Sequence, residues 1–134
     1  MKIALSTSKG GLEDEVYPLF GRCLTFTIVN TSEKEGNANI VPNPGTGAGG
    51  GAGIAAAQAI IEAGADTVIT GNCGPNALAV LLASEIKVYI SSGKVKDAIK
   101  KLIGGKLVPI DRPTVPLNSG AASGVLGKKR GGRV

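Results

Sequence analysis

The chain of 134 residues contains no histidine and no tryptophan. Without an imidazole there is no catalytic triad, no histidine-ligated zinc and no histidine general base. Aromatic residues amount to 3% (Tyr17, Phe20, Phe26 and Tyr89), too few to build a surface that stacks bases while also filling a core. The two cysteines, Cys23 and Cys73, are too few and too far apart for a disulfide scaffold or a CxxC redox pair. No long apolar stretch follows the opening Lys2-Ile3-Ala4-Leu5, so neither a signal peptide nor a membrane span is expected, and the chain is read as cytoplasmic and reduced. What is present is a globular balance, 43% hydrophobic and 19% charged, in a length that holds one core.

The net charge of +5 is unevenly placed. Residues 112–134 contain Arg112, Lys128, Lys129, Arg130 and Arg133 and no acid. Five of the fifteen basic residues are therefore in this segment, leaving ten against ten acidic residues in 1–111. The same stretch is rich in Gly, Pro and Ser and has no apolar periodicity. It cannot bury enough surface to offset ordering entropy, so 112–134 is expected to be a disordered basic tail behind one domain, 1–111. Its lysine–arginine cluster alone implies only weak, salt-sensitive attraction to polyanions, so no specific nucleic acid and no membrane is expected as a partner.

Within 1–111, residues 2–6 read as a first strand and 24–29 as a second with period-2 alternation. Residues 38–41 form a short third strand, placed at a sheet edge by Pro42. Residues 52–63 predict a helix rich in Ala and Ile, with Gln58 and Glu62 as its one wet stripe and Gly64 as its stop. Residues 67–70 read as a buried parallel strand, and Pro75 opens a helix through Ala83. Residues 87–90 form a last strand, followed by an amphipathic helix marked by Val95, Ala98, Ile99 and Leu102. The order βββαβαβα implies a three-layer α/β fold: a mixed sheet with helices on both faces.

Two loops stand out. Residues 45–53 hold six glycines in nine and lead into a helix. They read either as a cradle of exposed N–H groups for an anion, with Gly49, Gly50 and Gly51 lining it, or as a plain connector. No Gly-Lys-Ser/Thr follows, so this is not a Walker A loop. Residues 71–76, Gly-Asn-Cys-Gly-Pro-Asn, join a parallel strand to a helix at the sheet edge where α/β ligands bind. Gly71 and Gly74 permit close backbone approach there, and Asn72 or Cys73 can point into the cleft, the plain alternative being a tight turn with a capping Asn. Topology collects Arg22, Cys23, the Gly-rich loop and this second loop at one end of the sheet. If the first and fourth strands are neighbours, Cys23 and Cys73 are expected to line one cleft, with Arg22 and the Gly-rich loop as its walls, the alternative being two thiols buried as packing residues.

Met1-Lys2-Ile3-Ala4, Phe20-Gly21-Arg22, Asn43-Pro44, the run into Gly51-Ala52-Gly53-Ile54, and Gly71-Asn72-Cys73-Gly74-Pro75-Asn76-Ala77 occur in an order that resembles the dinitrogenase iron–molybdenum cofactor biosynthesis family, the NifX/NafY-like domains. The resemblance covers about residues 1–108. It implies a ribonuclease H-like fold with a five-stranded mixed sheet. It also implies non-catalytic binding or carriage of an iron–sulfur or molybdenum-containing cluster, or its precursor. Metallocofactor-assembly proteins are the expected partners, and the chain is expected to be a monomer or weak homodimer. Family members commonly have His just before Phe-Gly-Arg and within the Gly-rich segment, where this chain has Leu19 and Thr46. Thiolates of Cys23 and Cys73 are the metal ligands expected for such a cluster, with Arg22, Gly49, Gly50, Gly51, Gly71, Asn72 and Gly74 around it. Two other functional classes stand against this one. A two-metal nuclease needs several converging carboxylates, one of them on the first strand, and residues 2–6 carry none. A sensor binding phosphate or another small anion through the Gly-rich loop is the other alternative.

Overall fold

The computed structural model describes residues 1–32, 38–46 and 51–114. Among these the elements are β1 (Lys2–Thr7), β2 (Thr25–Asn30), β3 (Ala38–Pro42), α1 (Ala52–Glu62), β4 (Thr67–Thr70), α2 (Pro75–Ala83), β5 (Lys87–Ile90) and α3 (Val95–Ile103), with a 3-10 turn at Phe20–Arg22 before β2. They form a five-stranded mixed sheet in the order β3-β2-β1-β4-β5. The strand β1 is antiparallel to β2 and parallel to β4. The strand β3 pairs antiparallel with β2 at one edge, and β5 parallel with β4 at the other. Pro42, at the end of the edge strand β3, lies opposite Thr25.

The pleat sends alternate residues to two cores. On one face Ala4, Phe26, Ile28, Val68 and Val88 pack with Ala56, Ala57 and Ile60 of α1 and Ala77, Leu78 and Leu81 of α2. On the other, Ile3, Leu5 and Ile69 meet Val95, Ala98 and Ile99 of α3. The α1–α2 face uses small helix residues, so the helices lie close to the sheet and to each other. The rings of Phe20 and Phe26, tilted 44° with centroids 5.2 Å apart, fill its upper end. Each such fully buried apolar side chain contributes about 1.5–3 kcal/mol. In α3, Asp97 in the first turn and Lys100 and Lys101 in the last match the helix dipole.

Two details differ from the sequence reading. The second strand begins at Thr25 rather than at residue 24, and Leu24 is 54% exposed, because it lies past the end of the ladder with β1 where nothing covers it. On α1, Ile54 joins Gln58 and Glu62 on the solvent side, so the wet stripe starts with an apolar residue. Gly64, at φ +83°, follows the end of α1 as expected. Of the segment read as a tail, residues 112–114 are described and 115–134 are not. Within that described part, Thr114 is bonded to Cys73. No helix among the described residues is long and apolar enough to cross a membrane.

Candidate functional site

Because β1, β4 and β5 run one way and β2 runs against them, the ends of β1, β3, β4 and β5 and the start of β2 share one edge of the sheet. The segments around 8–24, 43–46, 71–74 and 91–94 meet there. They are stitched together chiefly through their backbones. Phe20 N–H donates to Asn72 C=O at 3.0 Å, Gly71 N–H to Tyr17 C=O at 3.2 Å, and Asn72 Nδ2 to Pro18 C=O at 3.0 Å. Gly71 has to be glycine for this: a Cβ there would stand 2.6 Å from Pro18 Cα and 2.8 Å from its carbonyl oxygen. Likewise the 20–22 turn sits directly on α1, where a Cβ on Gly21 would stand 3.0 Å from Gly53 Cα.

Asn43 is the residue whose role sequence reasoning missed. It is 4% exposed. Its Nδ2 donates to Cys23 C=O at 2.8 Å and Gly21 C=O at 3.3 Å, and its Oδ1 accepts from Gly45 N–H at 2.9 Å. Thr46 Oγ1 adds bonds to Cys23 C=O at 3.1 Å and Asn43 C=O at 2.9 Å. One side chain thus ties the Arg22–Cys23 corner to the start of the Gly-rich loop. The signal available in the chain was a polar residue between an edge strand and a Pro, which reads equally well as an ordinary turn.

The expected site residues divide by exposure. Arg22 and Gly51 are exposed, and Gly71, Asn72 and Gly74 are half-buried. Gly51 is the N-cap of α1 and Gly74 that of α2, neither with a side-chain cap. Gly49 and Gly50 lie outside the described residues. Cys23 and Cys73 do fall on the same side of the sheet, in the α1–α2 core, and both are completely buried. Cys23 Sγ donates to Phe20 C=O at 3.2 Å, and Asn43 Nδ2 is 3.7 Å from that sulfur. Burial pushes both thiols up to about 12, so each is a neutral, shielded thiol in this arrangement. They lie beneath the loops rather than along an open cleft.

Carboxylates at this edge are engaged in holding the loops. Burial opposes the charge of Asp14, but backbone N–H groups of Gly10 (2.8 Å), Glu15 (2.8 Å) and Ser8 (2.9 Å) outweigh it and hold the carboxyl below its usual range. Glu13, exposed, is also lowered, by its bonds to Lys96 and Lys94 at 2.9 and 3.2 Å. With Glu15, Tyr17 and Pro18 they border a shallow hollow of about 440 Å³. Asp66 lies at the opposite edge, accepting from Lys2 N–H and Thr67 Oγ1. Among the described residues no three His, Cys, Asp or Glu side chains are grouped to hold a metal ion.

Comparison with known proteins sets this edge in context. An uncharacterized protein of Methanocaldococcus jannaschii is 34% identical over 109 residues, covering 80% of this chain and 89% of the relative. The apo form of the orange protein from Desulfovibrio gigas superposes with a TM-score of 0.80 at 33% identity, over 84% of this chain and 95% of that one. A putative NifB protein from Thermotoga superposes with a TM-score of 0.70 at 29% identity, over 84% and 96%. The family pattern described as dinitrogenase iron–molybdenum cofactor matches residues 1–105, which takes in all five strands, all three helices and every loop of the edge just described. The chain belongs to the dinitrogenase iron–molybdenum cofactor family.

Proposed function

We propose that this protein binds and carries an anionic metal–sulfur cluster, iron–sulfur or molybdenum-containing, or a precursor of one, and passes it to metallocofactor-assembly proteins without catalysing a reaction on it. The observation that carries the reading is the convergence of four loops and an exposed arginine on one sheet edge in a chain of this family. The sheet is read as ribonuclease H-like, and the protein as a cytoplasmic monomer or weak homodimer.

An anionic cargo needs a compensating cation and N–H donors, and it gains from soft ligands. Arg22 supplies the cation. The uncapped first turns that follow Gly51 and Gly74 supply backbone N–H groups at the rim, while Gly71 and Asn72, bonded to Tyr17 and Pro18, hold its shape. Cys23 and Cys73 are the soft donors directly below. Ligation by either thiol requires the 20–24 and 71–74 loops to part and the proton to leave, since both are buried and neutral as they stand. Electrostatic holding at the rim therefore comes first, and thiolate capture is a second step available to an opened edge.

Anaerobic purification followed by metal and sulfide analysis tests the reading. Bound iron or molybdenum with acid-labile sulfide is expected, reduced in Arg22→Gln. Cys23→Ser and Cys73→Ser distinguish the two modes: unchanged loading assigns the cargo to the rim, and loss assigns it to the thiols. A colourless, metal-free protein that binds inorganic phosphate would replace the carrier reading with that of an anion sensor.

A further inference from the structure

The loop that carries Cys73 is held from two sides. Its first half is fixed by the 17–20 segment, through the bonds of Gly71 and Asn72 to Tyr17, Pro18 and Phe20 described above. Cys73 itself is held from the other side, by the chain beyond α3. That chain first fastens to the edge strand β5, where Ile110 N–H donates to Val88 C=O at 2.8 Å and the Ile110 side chain packs against the α1–α2 core. Four residues later Thr114 N–H donates to Cys73 C=O at 2.9 Å, and Thr114 Oγ1 accepts from Cys73 N–H at 2.8 Å. Among the described residues, Thr114 is the only partner of the Cys73 peptide N–H and C=O. The segment is a strap whose outer end is clasped at the candidate site.

The strap is easier to open than what lies behind it. Residues 111–114 are exposed, with only a loose Asp111–Arg112 pair at 3.8 Å between the two attachment points. A short exposed segment held by two hydrogen bonds belongs to the low-stability end of a structure, where local opening costs little. The two thiols behind it are not equivalent. Cys23 Sγ donates to Phe20 C=O at 3.2 Å, and Asn43 Nδ2 and Thr46 Oγ1 pin Cys23 C=O from the neighbouring loop. Cys73 Sγ makes no hydrogen bond among the described residues, and the Cys73 backbone loses both of its partners when Thr114 leaves. An unpaired N–H and C=O favour the conformation that reaches water. Release of the clasp and exposure of Cys73 therefore go together, while Cys23 stays locked.

We propose that Thr114 is a latch on Cys73: the 110–114 strap holds the Cys73 end of the β4–α2 loop shut, and its release opens this thiol, and not Cys23, to the metal cargo. The inference deepens the carrier reading above and rests on it for what an open Cys73 takes. Thr114 touches no cargo in this scheme. It is a positioning residue that acts through the peptide groups of Cys73. Two hydrogen bonds of ordinary strength together hold the loop against opening by about tenfold to a hundredfold.

Alkylation of the full-length protein by iodoacetamide, a small neutral thiol reagent, tests the latch when each cysteine is followed separately by peptide mass spectrometry. Wild type is compared with Thr114→Ser, which keeps both clasp bonds, Thr114→Val, which loses the Oγ1 acceptor, and Thr114→Pro, which loses both. Cys73 is expected to react about three- to tenfold faster in Thr114→Val and about ten- to a hundredfold faster in Thr114→Pro. Thr114→Ser should match wild type, and the rate at Cys23 should be the same in all four proteins. Equal Cys73 rates in wild type and Thr114→Pro overturn the inference. So does an equal acceleration of both cysteines, which makes the strap a general support of the fold. In Thr114→Pro loaded anaerobically, Cys73 is expected to be protected by the bound cargo, and an unprotected Cys73 overturns its part in capture. Alkylation of the empty protein needs no cargo, so the latch and the carrier reading fail separately. Wild-type protein that loads no metal overturns the carrier reading, and with it the cargo of Cys73, whatever the alkylation rates show.

Discussion

Raising the pH from 8 to 10 should destabilise this protein by about 3 kcal/mol through its two thiols alone. Cys23 and Cys73 have no exposure, and burial pushes each from an ordinary value of 9.0 up to about 12. An unfolded chain releases both protons near pH 9, whereas the folded one keeps them until about pH 12. The stability associated with the neutral buried thiols is therefore fully present below about pH 9 and is lost as pH rises from there toward 12. One pH unit in that window costs about 1.4 kcal/mol per thiol, hence about 3 kcal/mol for two at pH 10. Urea denaturation at pH 7, 8, 9 and 10 measures it, on wild type, Cys23→Ala, Cys73→Ala and the double variant. Lysine and tyrosine titrations are common to all four and cancel in the comparison. Each alanine is expected to remove about half of the excess fall. The absolute loss of stability from the missing sulfur appears at every pH and does not affect the slope. Parallel pH profiles for wild type and the double variant would refute the reasoning, as would a folded-state thiolate absorbance that titrates near 9.

Three further outcomes follow from the same edge. Gly71→Ala should lower stability by about 2–3 kcal/mol, because its new methyl meets backbone atoms of Pro18 that are pinned by their own hydrogen bonds, and a thermal melt will show it. Asn43→Ala should cost about 1–3 kcal/mol by leaving the N–H of Gly45 unpaired in a buried place and the carbonyl of Cys23 with Thr46 Oγ1 as its remaining donor, with faster amide hydrogen exchange at 43–46 as the local sign. The lowered carboxyl of Asp14 contributes stability above its unfolded titration range that is lost as pH falls through the folded one, so Asp14→Asn should flatten the acid limb of a stability–pH curve.

Much of the scaffold was legible in the residues. Period-2 alternation around Phe26 and Ile28, the β-branched run Thr67–Thr70, and the 3, 4, 7 spacing from Val95 each mark an element that the structure contains, since these patterns state which face must be buried. Leu24 was misplaced because alternation cannot say where a neighbouring strand stops. Ile54 was misplaced because a helical stripe is covered only if something lies against it. The grouping of Arg22, Cys23 and Cys73 at one edge also follows from strand directions, which the order of elements constrains strongly.

The sequence by itself determined the alternation of elements, the neutral body with its basic extension, and the absence of imidazole chemistry, because these depend on residue type and local spacing. Tertiary structure alone decided the state of the thiols. Whether a cysteine near a loop is a ligand in a cleft or a neutral group in a core depends on what packs over it, and here Phe20, α1 and α2 belong to the same core as both sulfurs. It also decided the hub at Asn43 and the clasp between Thr114 and Cys73. Hydrogen bonds joining residues 20 and 41 positions apart leave no periodic trace in the chain.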